Sequence, residues 1–239
     1  MQWVDVDLLS SRQETSGTRT FTFGLPNTFT YKPGQHIRMK LDSPGDDRRG
    51  VRSFSIASSP TEKGVLMVTT IVRPQSAFKQ RLASLAQGER VTIGGPMGNF
   101  VLHEDPSKVA VMLCGGIGVT PIRSMIKYAT DSRLAVQIVL LYSSKTPEAI
   151  LCRRELEDWE KANPKLRVVH TITRPEFSSE KWNGLIGRIN EAIIREHVNL
   201  KDAIFYVCGP PSMVESMTRL LTNMNVPSEH VDEEEFTGY

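Results

Sequence analysis

The chain of 239 residues contains only three cysteines and no long hydrophobic run. Cys114, Cys152 and Cys208 are far apart with no C-x-x-C pair, which excludes a disulfide framework, a cysteine zinc site and a plant-type iron–sulfur cluster. No segment approaches the roughly 18 consecutive apolar residues of a membrane helix, and the N-terminus has neither the basic nor the apolar region of a signal peptide. We therefore expect a cytoplasmic protein without a membrane span.

Charge of one sign is also lacking. The 29 lysines and arginines nearly balance the 27 aspartates and glutamates, and both signs are mixed along the chain, unlike the basic patches of nucleic-acid-binding proteins. The five histidines are scattered singly, and none are at the i, i+4 spacing of helical metal ligands. We therefore expect no nucleic-acid partner and no metal site, and any redox chemistry would need an organic cofactor.

What the N-terminal part does have is alternation of apolar and polar residues, which is typical of half-buried strands. The alternation covers Val4 to Leu8, Phe21 to Phe23 and Ile37 to Leu41, and further strands are predicted at 51–58, 65–73 and 90–94. About six antiparallel strands predict a small β-barrel over residues 1–103. One amphipathic helix interrupts the strands, and Ser76 is its predicted N-cap.

The C-terminal part changes to continuous apolar runs separated by helical segments. This pattern is typical of a parallel sheet with both faces covered, so residues 104–239 are predicted to form an α/β domain. The acidic run from Asp232 to Glu235 is interpreted as a solvated end of the chain, next to Phe236 and the terminal Tyr239. The four predicted strands are Val109–Cys114, Val136–Tyr142, Leu166–Ile172 and Ala203–Cys208.

Glycines cluster where the first of these runs ends and a helix begins. Glycines let the backbone approach a pyrophosphate, and a helix N-terminus offers unpaired N–H groups to the anion, so the turn predicts a dinucleotide site. Pro121 replaces the third glycine of the usual fingerprint, and a glycine turn before a helix can also be purely structural. The segment consists of Gly115, Gly116, Ile117, Gly118, Val119, Thr120 and Pro121.

The end of the last run carries a second candidate, in which Cys208 is followed by Gly209, Pro210 and Pro211. Since the carboxyl ends of parallel strands share one edge of the sheet, both segments are expected to face one crevice. Considered alone, Cys208 is better explained as a small buried apolar residue.

In the N-terminal part, Arg52, Ser53, Phe54 and Ser55 combine a cation, an aromatic ring and hydroxyls on one strand. Alternation places Arg52 and Phe54 on one face and the two serines on the other. An arginine can clamp a phosphate, an aromatic can cover a planar ring, and a serine can hydrogen-bond the ring edge. The alternative is an edge strand with a solvated arginine and a core phenylalanine.

Six motifs in this order resemble those of the ferredoxin-NADP reductase superfamily of flavin reductases. The resemblance implies an FAD-binding antiparallel barrel followed by a parallel α/β nucleotide-binding domain, with flavin and nicotinamide meeting at the cleft between them. The motifs are Pro33-Gly34-Gln35, Arg52-x-Phe54-Ser55, Gly95-Pro96-x-Gly98, Gly115-Gly116-x-Gly118-x-Thr120-Pro121, Cys208-Gly209-Pro210-Pro211 and Glu234-x-Phe236.

The resemblance also implies roles for single residues of the flavin site. Arg52 would bind the flavin phosphates, Phe54 would lie against the isoalloxazine, and Ser55 would lie near its N5 atom. The remaining flavin contacts implied are Ser53, Ile71, Val72, Arg73 and the pyrophosphate-binding Ser76.

On the nucleotide side, the resemblance implies that Cys208 lies near the nicotinamide ring. Phe236 would cover the other flavin face until nicotinamide displaces it, with Glu234 near the reacting edge, so these three and Ser55 are the predicted catalytic residues. The dinucleotide would be held by Gly115, Gly116, Gly118, Thr120, Pro121, Gly209, Pro210 and Pro211.

The choice of cofactor rests on the loops that follow the parallel strands. Ser144 and Lys145, with Arg174 nearby, can bind a 2'-phosphate and favour NADPH, while a solvated Lys145 would leave NADH open. The family likeness favours FAD over FMN. The chain carries no second redox domain, so we expect electrons to pass to a separate acceptor, such as a ferredoxin-like protein or an oxygenase component. The alternatives are a ferric or free-flavin reductase and a non-catalytic nucleotide-binding subunit of a larger redox complex.

Overall fold

The computed structural model describes residues 2–236 of the chain. Its first part is a six-stranded sheet in the order β4-β3-β6-β1-β2-β5, in which neighbouring strands are antiparallel. A single helix, α1 (Ala77–Ala83), precedes the last strand of this sheet. The strands are β1 (Gln2–Thr15), β2 (Thr18–Gly24), β3 (His36–Lys40), β4 (Val51–Ser55), β5 (Val65–Ile71) and β6 (Arg90–Met97).

The predicted alternation is what builds the core of this sheet. Phe21 and Phe23 of β2 and Ile37 and Met39 of β3 are fully buried, and they share one apolar cluster. A backbone hydrogen bond of 2.8 Å from Ala57, just beyond β4, to Met67 O of β5 links the two edge strands. The antiparallel sheet is confirmed, and its closure into a barrel stays a prediction.

The second part is a six-stranded parallel sheet in the order β10-β9-β8-β7-β11-β12. Four of its strands coincide with the predicted apolar runs, so the α/β prediction is confirmed. The predicted boundary between residues 103 and 104 stays a prediction. The strands are β7 (Val109–Gly115), β8 (Gln137–Ser144), β9 (Leu166–Ile172), β10 (Leu185–Ile186), β11 (Ala203–Gly209) and β12 (Val231–Glu235).

Helices cover both faces of this sheet, which explains why its strands are continuously apolar. Strand β7 shows the division, because Met112 belongs to one buried cluster and Leu113 to the other. No helix within residues 2–236 is both long and apolar enough to cross a bilayer. The main helices are α2 (Val119–Asp131), α3 (Arg153–Ala162), α4 (Glu191–His197) and α5 (Pro211–Asn223).

The interpretation of Asp232 to Glu235 as a solvated end was wrong. These residues belong to β12, which pairs in parallel with β11 and places Glu234 opposite Cys208. An edge strand needs only backbone hydrogen bonds on one side, so its exposed acidic side chains do not oppose the pairing. The terminal Tyr239 lies outside the described residues.

Candidate active site

A cleft of about 1130 Å³ is lined by residues of both sheets. The antiparallel part contributes β4, the end of β5 and the start of α1, and the parallel part contributes the glycine turn and the C-terminal strand β12. The lining residues that the sequence had marked are Arg52, Ser53, Phe54, Ser55, Ile71, Arg73, Ser76, Thr120, Glu234 and Phe236.

On the side of β4, Phe54 lines the cleft and packs against the fully buried ring of Phe78. The rings of Phe54 and Phe78 have their centroids 6.0 Å apart, and the Arg52 guanidinium lies 5.3 Å from the Phe78 centroid. Arg52 and Phe54 therefore share a face of β4, as alternation predicts. Phe54 is only 8% exposed and belongs to the first core cluster, so it supports the cleft as well as lining it.

Residues from both sheets meet at Glu234. Ser55 Oγ donates a hydrogen bond of 3.3 Å to Glu234 Oε2, although the two residues are 179 positions apart. His36 Nδ1 lies 3.5 Å from Glu234 Oε1. Sequence reasoning missed His36, even though it directly follows the Pro33-Gly34-Gln35 motif.

Gly98 makes the space that His36 occupies. A Cβ atom on Gly98 would lie 2.8 Å from His36 Nδ1, closer than such contacts allow, and Gly98 has a positive φ of 93°. The Gly95-Pro96-x-Gly98 motif therefore shapes the histidine side of the cleft.

Positive charge accumulates along one wall, formed by Arg48, Arg52, Arg73 and Lys79. Burial, together with the charges of Arg73, Arg52 and Arg48, lowers the pKa of Lys79 to about 8. Such a group of cations stabilises an anion placed among them. The wall thus fits a pyrophosphate.

Arg52 is partly neutralised by the chain itself. Its Nη1 donates a hydrogen bond of 2.9 Å to Asp46 Oδ2, and its Nη2 contacts Asp46 and Asp47. Burial raises the pKa of Asp46, but hydrogen bonds from Arg52 and from the Gly50 and Arg48 amides outweigh it and lower the pKa overall. Sequence reasoning missed Asp46, which fixes the loop before β4 over the arginine.

The N-terminus of α1 confirms the predicted cap. Ser76 has an extended backbone, and its Oγ accepts a hydrogen bond of 3.3 Å from Lys79 N. Ser76 lines the cleft. Val72, which is also a predicted flavin contact, packs against the first core cluster.

The glycine turn has tight packing reasons for its composition. A Cβ on Gly118 would lie 2.3 Å from Cys208 O, and one on Gly115 would lie 2.3 Å from Met213 Sδ. Gly116 has a positive φ of 54°. The structural explanation of the turn is therefore correct. It does not conflict with dinucleotide binding, because the turn lies at the carboxyl end of β7, and ligands of open parallel sheets bind outside the carboxyl ends of the strands.

The end of α2 nearest to the cleft is held by hydroxyl groups. Tyr142 OH donates a hydrogen bond of 2.9 Å to Gly116 O, and Thr120 Oγ1 donates one of 3.0 Å to Ile117 O. Ile117 and Thr120 line the cleft, whereas Pro121 is buried within the first turn of α2.

Cys208 is placed differently from the other predicted catalytic residues. Its side chain is fully buried, and burial raises the pKa of the thiol well above its ordinary value. A neutral thiol is neither a nucleophile nor a metal ligand, and a catalytic role for Cys208 stays a prediction. Phe236 reaches the cleft because its amide donates a hydrogen bond of 3.0 Å to Gly209 O. Pro210 and Pro211 start α5, where proline is tolerated.

The predicted 2'-phosphate residues lie at the carboxyl end of β8. Ser144 is buried, Lys145 is exposed, and the amide of Arg174 donates a hydrogen bond of 2.8 Å to Lys145 O, which brings the two cations onto neighbouring loops. Glu148 Oε1 accepts a hydrogen bond of 2.9 Å from Ser178 Oγ. The loop holding Lys145 and the loop holding Arg174 therefore form one polar surface.

Two family models match the chain, the oxidoreductase FAD-binding domain over residues 5–102 and the oxidoreductase NAD-binding domain over residues 112–219. The fold is also that of a ferredoxin NADP+ reductase from Neisseria gonorrhoeae, with a TM-score of 0.82, 19% identity, and 98% of this chain and 99% of that chain covered. This chain belongs to the ferredoxin-NADP reductase superfamily. The family prediction is confirmed, as are FAD and a nicotinamide dinucleotide as cofactors of its two domains.

Two further similar proteins are reductases by name. The glycine betaine monooxygenase reductase subunit of Chromohalobacter salexigens is 30% identical over 94% of this chain, which spans 61% of that protein's length, less than two thirds. The Amycolatopsis cytochrome P450 reductase GcoB has the same fold, with a TM-score of 0.85, 21% identity, and 99% of this chain and 71% of that chain covered. The superfamily member described here therefore carries the domains of an NAD(P)H-dependent flavin oxidoreductase.

Proposed function

We propose that this chain passes a hydride from NADPH to FAD and that electrons then leave to a separate protein acceptor. The observation that carries the proposal is the contact between Ser55 and Glu234, which joins the FAD-binding strand β4 to the C-terminal strand of the NAD-binding domain inside one cleft. The glycine betaine monooxygenase reductase subunit is by name a reductase that serves an oxygenase, which supports a separate acceptor.

The proposed FAD site combines residues that the family resemblance had marked with Lys79, which it had not. Arg52, Arg73 and Lys79 would bind the pyrophosphate, Ser53 and Ile71 would line its path, and Phe54 would support the ring. Bound flavin accepts a hydride from the nicotinamide and releases electrons singly, while the protein supplies orientation and electrostatics.

A proton path accompanies this chemistry. Ser55 Oγ donates to Glu234, so Ser55 would relay a proton by passing its hydroxyl proton to the Glu234 carboxylate while its oxygen accepts another from the bound flavin. Glu234 faces His36 Nδ1 on its other side, and the His36 side chain is 29% exposed against 16% for Glu234. His36 would therefore exchange the proton with solvent.

The nicotinamide side is formed by Thr120, the turn from Gly115 to Gly118, and the end of β11. Cys208, as a buried neutral thiol, would limit the space beside the ring without taking a proton. Phe236, anchored at Gly209, would occupy the place of the nicotinamide and leave it when the dinucleotide binds.

NADPH is proposed over NADH because Lys145, which follows β8, and Arg174, which follows β9, lie on neighbouring loops. A backbone hydrogen bond of 2.8 Å joins Lys145 and Arg174, and both residues are exposed. Charge-assisted bonds from such a pair would recognise a 2'-phosphate.

The test is an anaerobic absorbance titration of the purified protein with NADPH and, separately, with NADH. We expect a yellow protein whose visible flavin band is bleached by one equivalent of NADPH and less efficiently by NADH. Bleaching by NADH alone would reverse the nucleotide preference. A colourless protein that reduces added flavin would favour a free-flavin reductase, and one that binds nucleotides without any bleaching would favour a non-catalytic subunit.

A further inference from the structure

A buried arginine joins the two halves of the chain at a distance from the proposed reaction centre. Arg123 is on α2, and only 4% of its side chain is exposed. Its Nη1 donates to Ala57 O at 2.8 Å and to Glu62 Oε2 at 2.9 Å, both in the loop after β4. Its Nε donates to Glu155 Oε2 at 2.9 Å, within the NAD-binding half.

Two other bonds lie along the same contact, which we call the α2 seam and define by α2 and residues 57–62. Ser124 Oγ donates to Ser58 O at 2.6 Å, and Thr61 Oγ1 donates to Asp131 Oδ2 at 2.5 Å. Ser58 and Ser124 are fully buried, so the bond between them is shielded from water. The seam is a preformed polar contact in which Arg123 carries the charge.

The ends of the seam lead directly to the two cofactor sites. Arg123 follows Thr120 by three residues, which is about 4.5 Å along a helix axis. Ala57 follows Ser55 by two residues, about 7 Å along an extended chain. A shift of α2 against residues 57–62 would therefore displace the nicotinamide turn from the flavin strand by a similar amount.

Stability alone does not explain this arrangement. Arg123 already has Glu155 as a partner in its own half, and its guanidinium lies 5.3 Å from the Trp159 ring centroid. Buried ion pairs are often replaced by apolar residues without loss of stability, so a second carboxylate from the other half adds little on that account. The rigid, planar fork of arginine does fit a geometric role, because it fixes the direction of several bonds at once.

We propose that Arg123 is a positioning residue that sets the nicotinamide turn against the flavin strand through Glu62 and Ala57 O. The inference rests on the proposed function and adds a specific requirement for hydride transfer. Misplacement of reacting groups by about 1 Å can cost up to roughly 100-fold in rate.

The test compares the two carboxylates that bind Arg123. Glu62 belongs to the FAD-binding half of the chain and Glu155 to the NAD-binding half. Glu62→Gln weakens the Arg123–Glu62 bond across the seam, and Glu155→Gln weakens the Arg123–Glu155 bond within the NAD-binding half while the bonds of Arg123 to Glu62 and Ala57 O remain. We expect Glu62→Gln and Arg123→Met to lower the limiting rate of flavin bleaching in stopped-flow experiments by about tenfold or more. The NADPH concentration that gives half of the limiting rate should stay unchanged. Glu155→Gln should stay within about twofold of the native rate, and Arg123→Lys should recover part of the Arg123→Met loss, because its point charge reaches one carboxylate.

A second readout does not need the cofactors. In calorimetry of the cofactor-free protein, we expect the native chain and Glu155→Gln to unfold in one transition and Glu62→Gln to unfold in two, one for each half. Equal behaviour of Glu62→Gln and Glu155→Gln in calorimetry, or a native limiting rate in Glu62→Gln, would overturn the proposal. If neither dinucleotide bleaches the native protein, the proposed function fails, whereas calorimetry still decides whether Glu62 couples the halves.

Discussion

Lys79 links FAD affinity to pH, and the link can be measured. In the cofactor-free protein, burial and the charges of Arg73, Arg52 and Arg48 lower the pKa of Lys79 to about 8, from an ordinary value of 10.5. A pyrophosphate beside the ammonium would favour its charged form, so FAD binding above pH 8 must take up a proton. The Kd for FAD should therefore rise about tenfold between pH 7 and pH 9.

The same shift has a defined sign for stability. Between about pH 8 and 10.5, the native cofactor-free state has lost a proton that the unfolded chain still binds. The contribution of Lys79 to the free energy of unfolding should therefore increase as the pH rises through this window. Alkaline conditions thus stabilise the cofactor-free protein and lower its affinity for FAD.

The assay is quenching of FAD fluorescence by the cofactor-free protein at pH 7, 8 and 9, with Lys79→Met as the variant. Loss of one charge-assisted hydrogen bond, worth about 1.5–3 kcal/mol, should weaken binding at pH 7 by roughly 10- to 150-fold and remove the pH dependence. Lys63→Met is the matched control, because Lys63 is exposed and does not line the cleft. A native Kd that stays constant from pH 7 to 9, or an unchanged slope in Lys79→Met, would refute the reasoning.

Four other predictions follow from the same contacts. Arg52→Ala should release flavin on gel filtration while the fold survives, and full retention would contradict its role. Lys145→Ala should raise the Kd of NADPH about tenfold and leave that of NADH unchanged, because a charge-assisted phosphate bond is lost; equal effects would exclude a 2'-phosphate contact. Ending the chain at Glu235 removes Phe236 and should change the NADPH-to-NADH ratio of kcat/KM, whereas identical ratios would remove its gating role. Ser76→Ala should lower the free energy of unfolding by about 1 kcal/mol in urea titrations, and an unchanged midpoint would count against the cap.

Much of the fold could be predicted because its signals are local. Alternation at Phe21 and Phe23 reports a half-buried strand, and the apolar run from Val109 reports a strand buried on both faces, as found. Strand β12 was not predictable in the same way, because its acidic side chains resemble a solvated tail. Its pairing depends on the free edge of β11, a partner that is distant in sequence.

In the candidate site, too, the residues within local motifs could be predicted and the others could not. The motifs around Arg52, Gly115 and Cys208 were recognisable because each is a short segment with its own backbone requirement. His36, Asp46 and Lys79 escaped attention, since a single histidine, aspartate or lysine carries no local pattern. Their roles arise from neighbours, namely Glu234, the arginine that Asp46 holds, and the cations that lower the pKa of Lys79.

By itself, the sequence determined the two kinds of sheet, because periodicity acts over a few residues, and its six ordered motifs carried the resemblance to the superfamily. Only the tertiary structure decided that Ser55 meets Glu234 and that Arg123 of α2 reaches Glu62 and Ala57. These contacts join residues that are 61 to 179 positions apart. They exist only after both sheets have formed and packed, since no local pattern specifies which distant side chain will satisfy a buried charge.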